Sequence, residues 1–135
     1  MDIKKFSGER SGLKTFVVTE ERLQQFATSI GAASIQFLPT FLTVLRDGEF
    51  EVVERLGFRL SQVLHAEQEY ILESSVLPHD EISYFTTLMS VHEKKGKDAT
   101  LHFLTLETDY VETKADRAIG TAKTTFVIRE TVGSA

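Results

Sequence analysis

Cysteine and tryptophan are absent from the 135 residues, and proline and methionine occur only 2 times each. Without thiols there is no disulfide scaffold, thiolate zinc site, iron–sulfur cluster or cysteine nucleophile. The same absence agrees with a reducing compartment, and a cytoplasmic location is expected. Long hydrophobic runs are missing as well. The opening MDIKKFSGER has no signal-peptide core, and no stretch reaches membrane-spanning length, so no membrane partner is expected. Nor is there a surplus of basic charge. Lys and Arg number 15 against 20 Asp and Glu, a net charge of -5, which is the wrong balance for a generic nucleic-acid or anionic-membrane binder. Repeats, low-complexity tracts and linker-like runs are lacking too.

The remaining composition, 41% hydrophobic and 26% charged, suits one globular domain. At this length a fold hides about two-thirds of the surface that its unfolded chain exposes, enough for one core. Residues 1–13 read as a flexible amino-terminal tail and residues 14–135 as a single domain. Lys14 to Val18 is β-branched and aromatic, hence extended. Thr19 then offers an N-cap, and Glu20 and Glu21 complement the helix dipole. Leu23, Phe26, Ala27 and Ile30 form one apolar stripe, and Gly31 stops the helix. Farther on, Asp47-Gly48 reads as a break. Phe50, Val53 and Leu56 then fall at helical spacing before Gly57.

The second half reads as β. Ala66 to Leu77 alternates, with Tyr70, Leu72 and Val76 on one face and Glu67, Glu69 and Glu73 on the solvated other. Pro78-His79-Asp80 is a turn. Ile82 to Glu93 is apolar on both faces, as in a strand covered on both sides. Lys95 to Asp98 connects a hairpin, and Leu101 to Val111 and Ile119 to Arg129 are two further strands. Strands this long exceed the usual five or six residues and suit a strongly curved antiparallel sheet wrapped about a helix. The class is therefore α+β.

Chemistry-bearing residues are few. His92 and His102 are expected to face each other across the hairpin; without HxxxH or HExxH spacing, packing is preferred to a metal site. His79 belongs to the turn. His65 opens a strand, where it either bonds a backbone carbonyl or lines a ligand site. Asp47, Glu49, Glu54 and Glu67 are the carboxylates a hydrolase could use to activate water. Phe37-Leu38 and Phe41-Leu42 are apolar enough for core or pocket, and Thr40 has either a ligand or its own backbone to bond. Lys94, Lys95 and Lys97 make a small basic tip.

The run of TEERLQQFATSIG, LPTFLTVL, VLHAEQEY, LPHDEI and FVIRE, in that order and spacing, resembles the amino-terminal, MaoC-like dehydratase half-domain of the hotdog superfamily. Fatty-acid-synthase-type dehydratase domains and the non-catalytic subunits of mycobacterial 3-hydroxyacyl dehydratases belong to that group. The resemblance spans Phe16 to Arg129 and is best at Pro39-Thr40-Phe41 and at His65 to Gln68. It implies a hotdog fold, a long curved antiparallel sheet wrapped around a long central helix, assembled as a dimer of hotdogs. It further implies an acyl-thioester ligand, carried on CoA or acyl carrier protein with no other cofactor, in a tunnel along the subunit interface. In catalytic members an Asp and a His bind one water and interconvert a trans-2-enoyl thioester and its R-configured 3-hydroxyacyl form. Backbone N–H groups at the start of the central helix hold the thioester carbonyl.

Catalytic members carry D-x-x-x-x-H in the segment leading into that helix. Gly31 to Leu45 has neither Asp nor His. The resemblance is thus to a non-catalytic half, with no catalytic residue of its own. Pro39, Thr40, Phe41, His65, Glu67 and Gln68 are the expected substrate-lining residues. The expected partner is a catalytic MaoC-like hotdog subunit or a second copy of the chain. The alternatives are a non-enzymatic acyl-thioester-binding homodimer and a hotdog thioesterase.

Overall fold

The computed structural model describes residues 8–35, 38 and 41–131. Along the chain come β1 (Lys14–Val17), α1 (Glu20–Ser29), a 3-10 turn (Phe41–Val44), α2 (Asp47–Arg55), a second 3-10 turn (Leu60–Gln62), β2 (Val63–Leu72), β3 (Glu81–Lys95), β4 (Ala99–Glu112) and β5 (Arg117–Thr131). α1 starts where its cap places it: Thr19 Oγ1 accepts from the Arg22 N–H at 3.1 Å. It ends before Gly31, whose φ of 73° is left-handed and favours glycine.

The five strands form one antiparallel sheet in the order β1-β3-β4-β5-β2. Extra residues at register shifts in β2 (between His65 and Glu67) and β3 (between Leu88 and Ser90) bend the strands, as does a shift between β4 and β5 at Tyr110/Val111. The resulting curve holds the helices on its inner face. α1, through Leu23 and Ala27, shares a buried cluster with Phe41, Leu45, Ile82, Tyr84 and Tyr110. α2, through Val52 and Val53 with Leu56 just past its end, shares a second with Leu88, Leu104, Phe126 and Ile128. A row of buried hydroxyls separates the two: Thr86 on β3, Thr108 on β4 and Thr124 on β5. Thr86 and Thr108 bond each other at 2.6 Å, and Thr124 donates to Gln68 at 2.8 Å. Each polar atom of the row thus finds a partner within the sheet.

Several sequence-based expectations need correction. The wrapped helix is not long: α2 has 9 residues, and the apolar stretch before it forms a 3-10 turn. Asp47-Gly48 is the first turn of α2 rather than a break. Gly48 allows this because a Cβ there would lie 2.6 Å from Thr86 Oγ1, so only glycine lets the helix approach the sheet this closely. The strand read as Ala66 to Leu77 runs instead over Val63–Leu72. Of the tail expected at 1–13, residues 8–11 are pinned to β3: Gly8 and Ser11 N–H donate to the Leu88 and Thr86 carbonyls, both at 2.8 Å. Finally, His92 and His102 do not face each other. The connection sets Lys95 opposite Thr100, so His102 lies opposite Glu93 and His92 opposite Phe103. The outer face of β3 is also only partly covered; Arg10 lies over Phe85, whereas Met89 in the bulge is exposed.

Candidate functional site

The amino-terminal end of α2 gathers the polar groups that the hydrophobic clusters exclude. Arg46, at the N-cap position, has no side-chain acceptor and makes no capping bond to the first turn of α2. Its guanidinium pairs with both Glu49 oxygens, at 3.1 and 3.3 Å, and lies over the rings of Phe50 and Phe126. Glu49 is only 1% exposed, and this pairing lets a carboxylate stay buried. Beneath them Tyr84 and Tyr110, opposite each other in register, stack with centroids 5.5 Å apart. The Tyr84 hydroxyl donates to Asp47, and the Tyr110 hydroxyl to the Leu45 carbonyl at 2.9 Å. Burial, then the Asp47 carboxylate, pushes the Tyr84 phenol far above its ordinary value. Tyr110 moves the same way through burial and then Glu49. Tyr70 is raised chiefly by burial, and its buried hydroxyl has no hydrogen-bond partner among the described residues. All three phenols are therefore neutral near pH 7, and those of Tyr84 and Tyr110 act as hydrogen-bond donors.

A cavity of about 410 Å³ opens at this point between Phe16, Val44, Phe50 and Tyr84, with Arg46 and Asp47 at the helix end. The positive end of the α2 dipole, which favours a carbonyl oxygen, borders the cavity through Arg46 and Asp47. Asp47 is the acid–base group on its wall, and no imidazole lines it. No group of three or more metal-ligating side chains occurs among the described residues.

The sequence-predicted residues are not gathered here. Pro39 and Thr40 lie outside the described residues. Phe41 is 1% exposed in the α1 cluster, edge-on to Phe26 at 5.4 Å. His65 sits on the far edge strand, its Nε2 3.1 Å from the Glu67 carbonyl and its ring against Phe126. Glu67 beside it is exposed. Gln68 is occupied by the sheet, accepting from Thr124 and donating to the Lys123 carbonyl at 3.3 Å. Phe41 thus lies in the α1 cluster, apart from the trio on β2. Of the water-activating candidates, Asp47 is in the cavity wall and Glu49 is buried by Arg46. Tyr84, Tyr110 and Arg46 were not singled out from the sequence. The register that stacks the tyrosines includes the β3 bulge, which no residue pattern signals.

Comparison with known proteins supports the same architecture. The C-terminally truncated HadBC (3R-hydroxyacyl-ACP dehydratase) complex of Mycobacterium tuberculosis matches with a TM-score of 0.68 at 16% identity, covering 90% of this chain and 96% of that one. The ChsH1-ChsH2 complex of the same organism matches at 0.70 and 15% identity, covering 98% and 89%. The (R)-hydratase of A. caviae involved in PHA biosynthesis matches at 0.60 and 17% identity, covering 89% and 94%. No curated protein sequence matches. Identities this low establish the fold, which is the α+β hotdog. The family described as FAS1-like, dehydratase domain region matches residues 34–121, well over half the chain, from the approach to α2 through most of the sheet. The chain accordingly belongs to the FAS1-like dehydratase domain family of MaoC-like hotdogs.

Proposed function

We propose that this protein is the non-catalytic, tunnel-shaping subunit of an R-specific enoyl-thioester hydratase or 3-hydroxyacyl-thioester dehydratase. The observation that carries this reading is the cavity bordered by the start of α2, which has a carboxylate, that of Asp47, but no imidazole. His65, His92 and His79 lie on the edge strand, a far strand end and a turn, and His102 is buried in β4. One chain alone therefore offers a place for a thioester carbonyl without the proton-handling pair. A partner hotdog subunit carrying D-x-x-x-x-H would supply it. Two of the structural relatives, HadBC and ChsH1-ChsH2, are named as complexes, the first of them a 3R-hydroxyacyl-ACP dehydratase. The substrate would be carried on CoA or acyl carrier protein, no other cofactor would be needed, and the site of action would be the cytoplasm.

An open sheet edge supports association with a partner or with a second copy. β2 ends the sheet, and Leu64, Ile71 and Leu72 on it are 66%, 43% and 37% exposed. Unpaired edges bearing apolar side chains ordinarily find a partner strand or cover. The test is hydration of crotonyl-CoA by the chain alone and with a D-x-x-x-x-H subunit encoded beside it. Turnover only in the mixture is expected; strong turnover by the lone chain would overturn the division of labour.

A thioesterase is the second reading, favoured by Asp47 in the wall of the cavity. It requires release of free CoA from an acyl-CoA, abolished in Asp47→Asn. On the leading reading neither form of the lone chain releases CoA.

A further inference from the structure

Away from the α2 opening, His102 is an imidazole buried with nothing to bond. It lies on the inner face of β4 with 2% of its surface exposed. Among the described residues neither of its ring nitrogens has a hydrogen-bond partner, a rare state for buried polar atoms. Two carboxylates flank the ring. Glu93 Oε2, directly opposite on β3, is 3.9 Å from Nδ1, and Glu130 Oε1 on β5 is 3.8 Å from Nε2. Both are ion-pair separations, too long for hydrogen bonds. Phe58, in the connection after α2, lies against the ring at 6.0 Å and carries no charge. The neighbouring cations are accounted for on each packed element. Lys95 on β3, 80% exposed, pairs with Glu93 at 3.7 Å. Lys94 on β3 and Arg129 on β5 are both opposite Leu101 rather than His102. Arg59 and Glu54 are exposed, and Arg55 of α2 pairs with Glu9 and Glu51.

A neutral imidazole has one N–H and one lone pair, so it donates to one carboxylate and turns its lone pair to the other. An imidazolium has an N–H on each nitrogen and donates to both. We propose that His102 is a proton-operated clasp, which on taking one proton from solvent bonds Glu93 and Glu130 at once and ties together β3, β4 and β5 where the β3–β4 connection lies. Losing that proton leaves a lone pair against a carboxylate and loosens this end of the sheet. Charge-assisted bonds of this kind settle near 2.8 Å, so each carboxylate needs to approach by only about 1 Å. Counting Lys95, the closed cluster holds two cations and two carboxylates and is neutral. The burial of His102 charge is therefore compensated on the spot. The clasp is independent of any ligand at α2 and regulates the stiffness of the sheet, not the chemistry of the cavity.

The test is amide hydrogen exchange on the full chain at about pH 8 and about pH 5.5, the interval in which histidines commonly gain a proton, corrected for intrinsic rates. Protection of Leu101 to Phe103 and of Ile128 to Glu130 should rise on acidification by about tenfold more than that of the Val18 amide, which bonds Asp80 far from the clasp. Nitrogen shifts of the isotope-labelled His102 ring, recorded over the same interval, should show both nitrogens protonated at the acid end. The extra protection should vanish in His102→Gln. Glu130→Gln alters a side chain 47% exposed, so it keeps the test open should the core variant not fold, and it should remove most of the gain. A ring that stays neutral throughout overturns the clasp. So does a ring that gains its proton while protection at these amides is unmoved, or a gain that survives Glu130→Gln undiminished.

Discussion

Gly48 shows how much one missing side chain decides. Its Cβ would stand 2.6 Å from Thr86 Oγ1 and 3.1 Å from Ser11 Oγ, so Gly48→Ala must push α2 off the sheet or displace Thr86. The variant should lose about 1–3 kcal/mol in urea denaturation, against a helix-propensity gain near 1 kcal/mol. Combined with Thr86→Ala, the loss should be smaller than the two single losses together. The stacked tyrosines make a different prediction, in pH. Because the folded protein holds Tyr84 and Tyr110 above the ordinary 10.0, their contribution is complete below that value and is lost above it, as pH rises through the higher folded ones. Denaturant midpoints should therefore fall on the alkaline side, and less steeply in Tyr110→Phe. That variant should also be less stable at neutral pH by about 1–3 kcal/mol, since the buried Leu45 carbonyl loses its donor.

Among the elements, the segment before β1 is the one whose attachment the strand pattern conceals. Its backbone bonds to β3, and α2 ties it from the other side. Glu51 accepts from the Gly12 N–H at 2.6 Å and from Lys14 at 2.7 Å, while Arg55 reaches Glu9 and the Arg10 carbonyl. The Lys14 bond first, and the Gly12 N–H second, hold the Glu51 carboxyl below its ordinary 4.5. A depressed carboxylate stabilises the fold above that ordinary value, and the contribution disappears as pH falls through the lower, folded one. Glu51→Gln should accordingly lower the neutral-pH melting temperature by about 4 °C, equivalent to about 1 kcal/mol for a partly exposed group. The gap from the unaltered protein should close on acidification. Amide exchange at Gly8, Ser11 and Leu88 should quicken in the same variant, as those bonds belong to the strapped segment.

At the scale of the whole molecule, one sheet edge is covered and the other is open among the described residues. Residues 8–17 line β3, whereas β2 presents its free side together with Leu64, Ile71 and Leu72. A second sheet laid along β2 would continue the hydrogen bonding and cover those side chains. Leu64→Lys should leave the melting transition of the subunit nearly unchanged, since the leucine is 66% exposed. It should shift the protein towards monomer in light scattering, and retained assembly would place the partner elsewhere. The two buried clusters, divided by their threonine row, also place the α2 opening beside α1 on one end of the sheet. The β2 residues His65 and Glu67 lie instead on its open edge.

Much of the architecture was legible because it depends on neighbours in the chain. Thr19, the stripe of Leu23 and Ala27, and Gly31 delimit α1 by local capping and periodicity alone. Strand lengths beyond the usual range announced a curved sheet, and the absence of Asp and His from Gly31 to Leu45 was a matter of reading letters. Bulges and close approaches are a different matter, since each depends on residues far apart in the chain. One extra residue in β3 slips the register, which stacks Tyr84 on Tyr110, and the four-residue connection sets His102 opposite Glu93. Gly48 looked like a break until Thr86, 38 positions on, was seen to occupy the space its side chain would fill. Composition, periodicity and missing side chains thus determined the fold class and the absence of Asp and His between Gly31 and Leu45. Long-range contact alone decided which polar groups meet at α2, because a cavity is made by the sides of elements that only packing brings together.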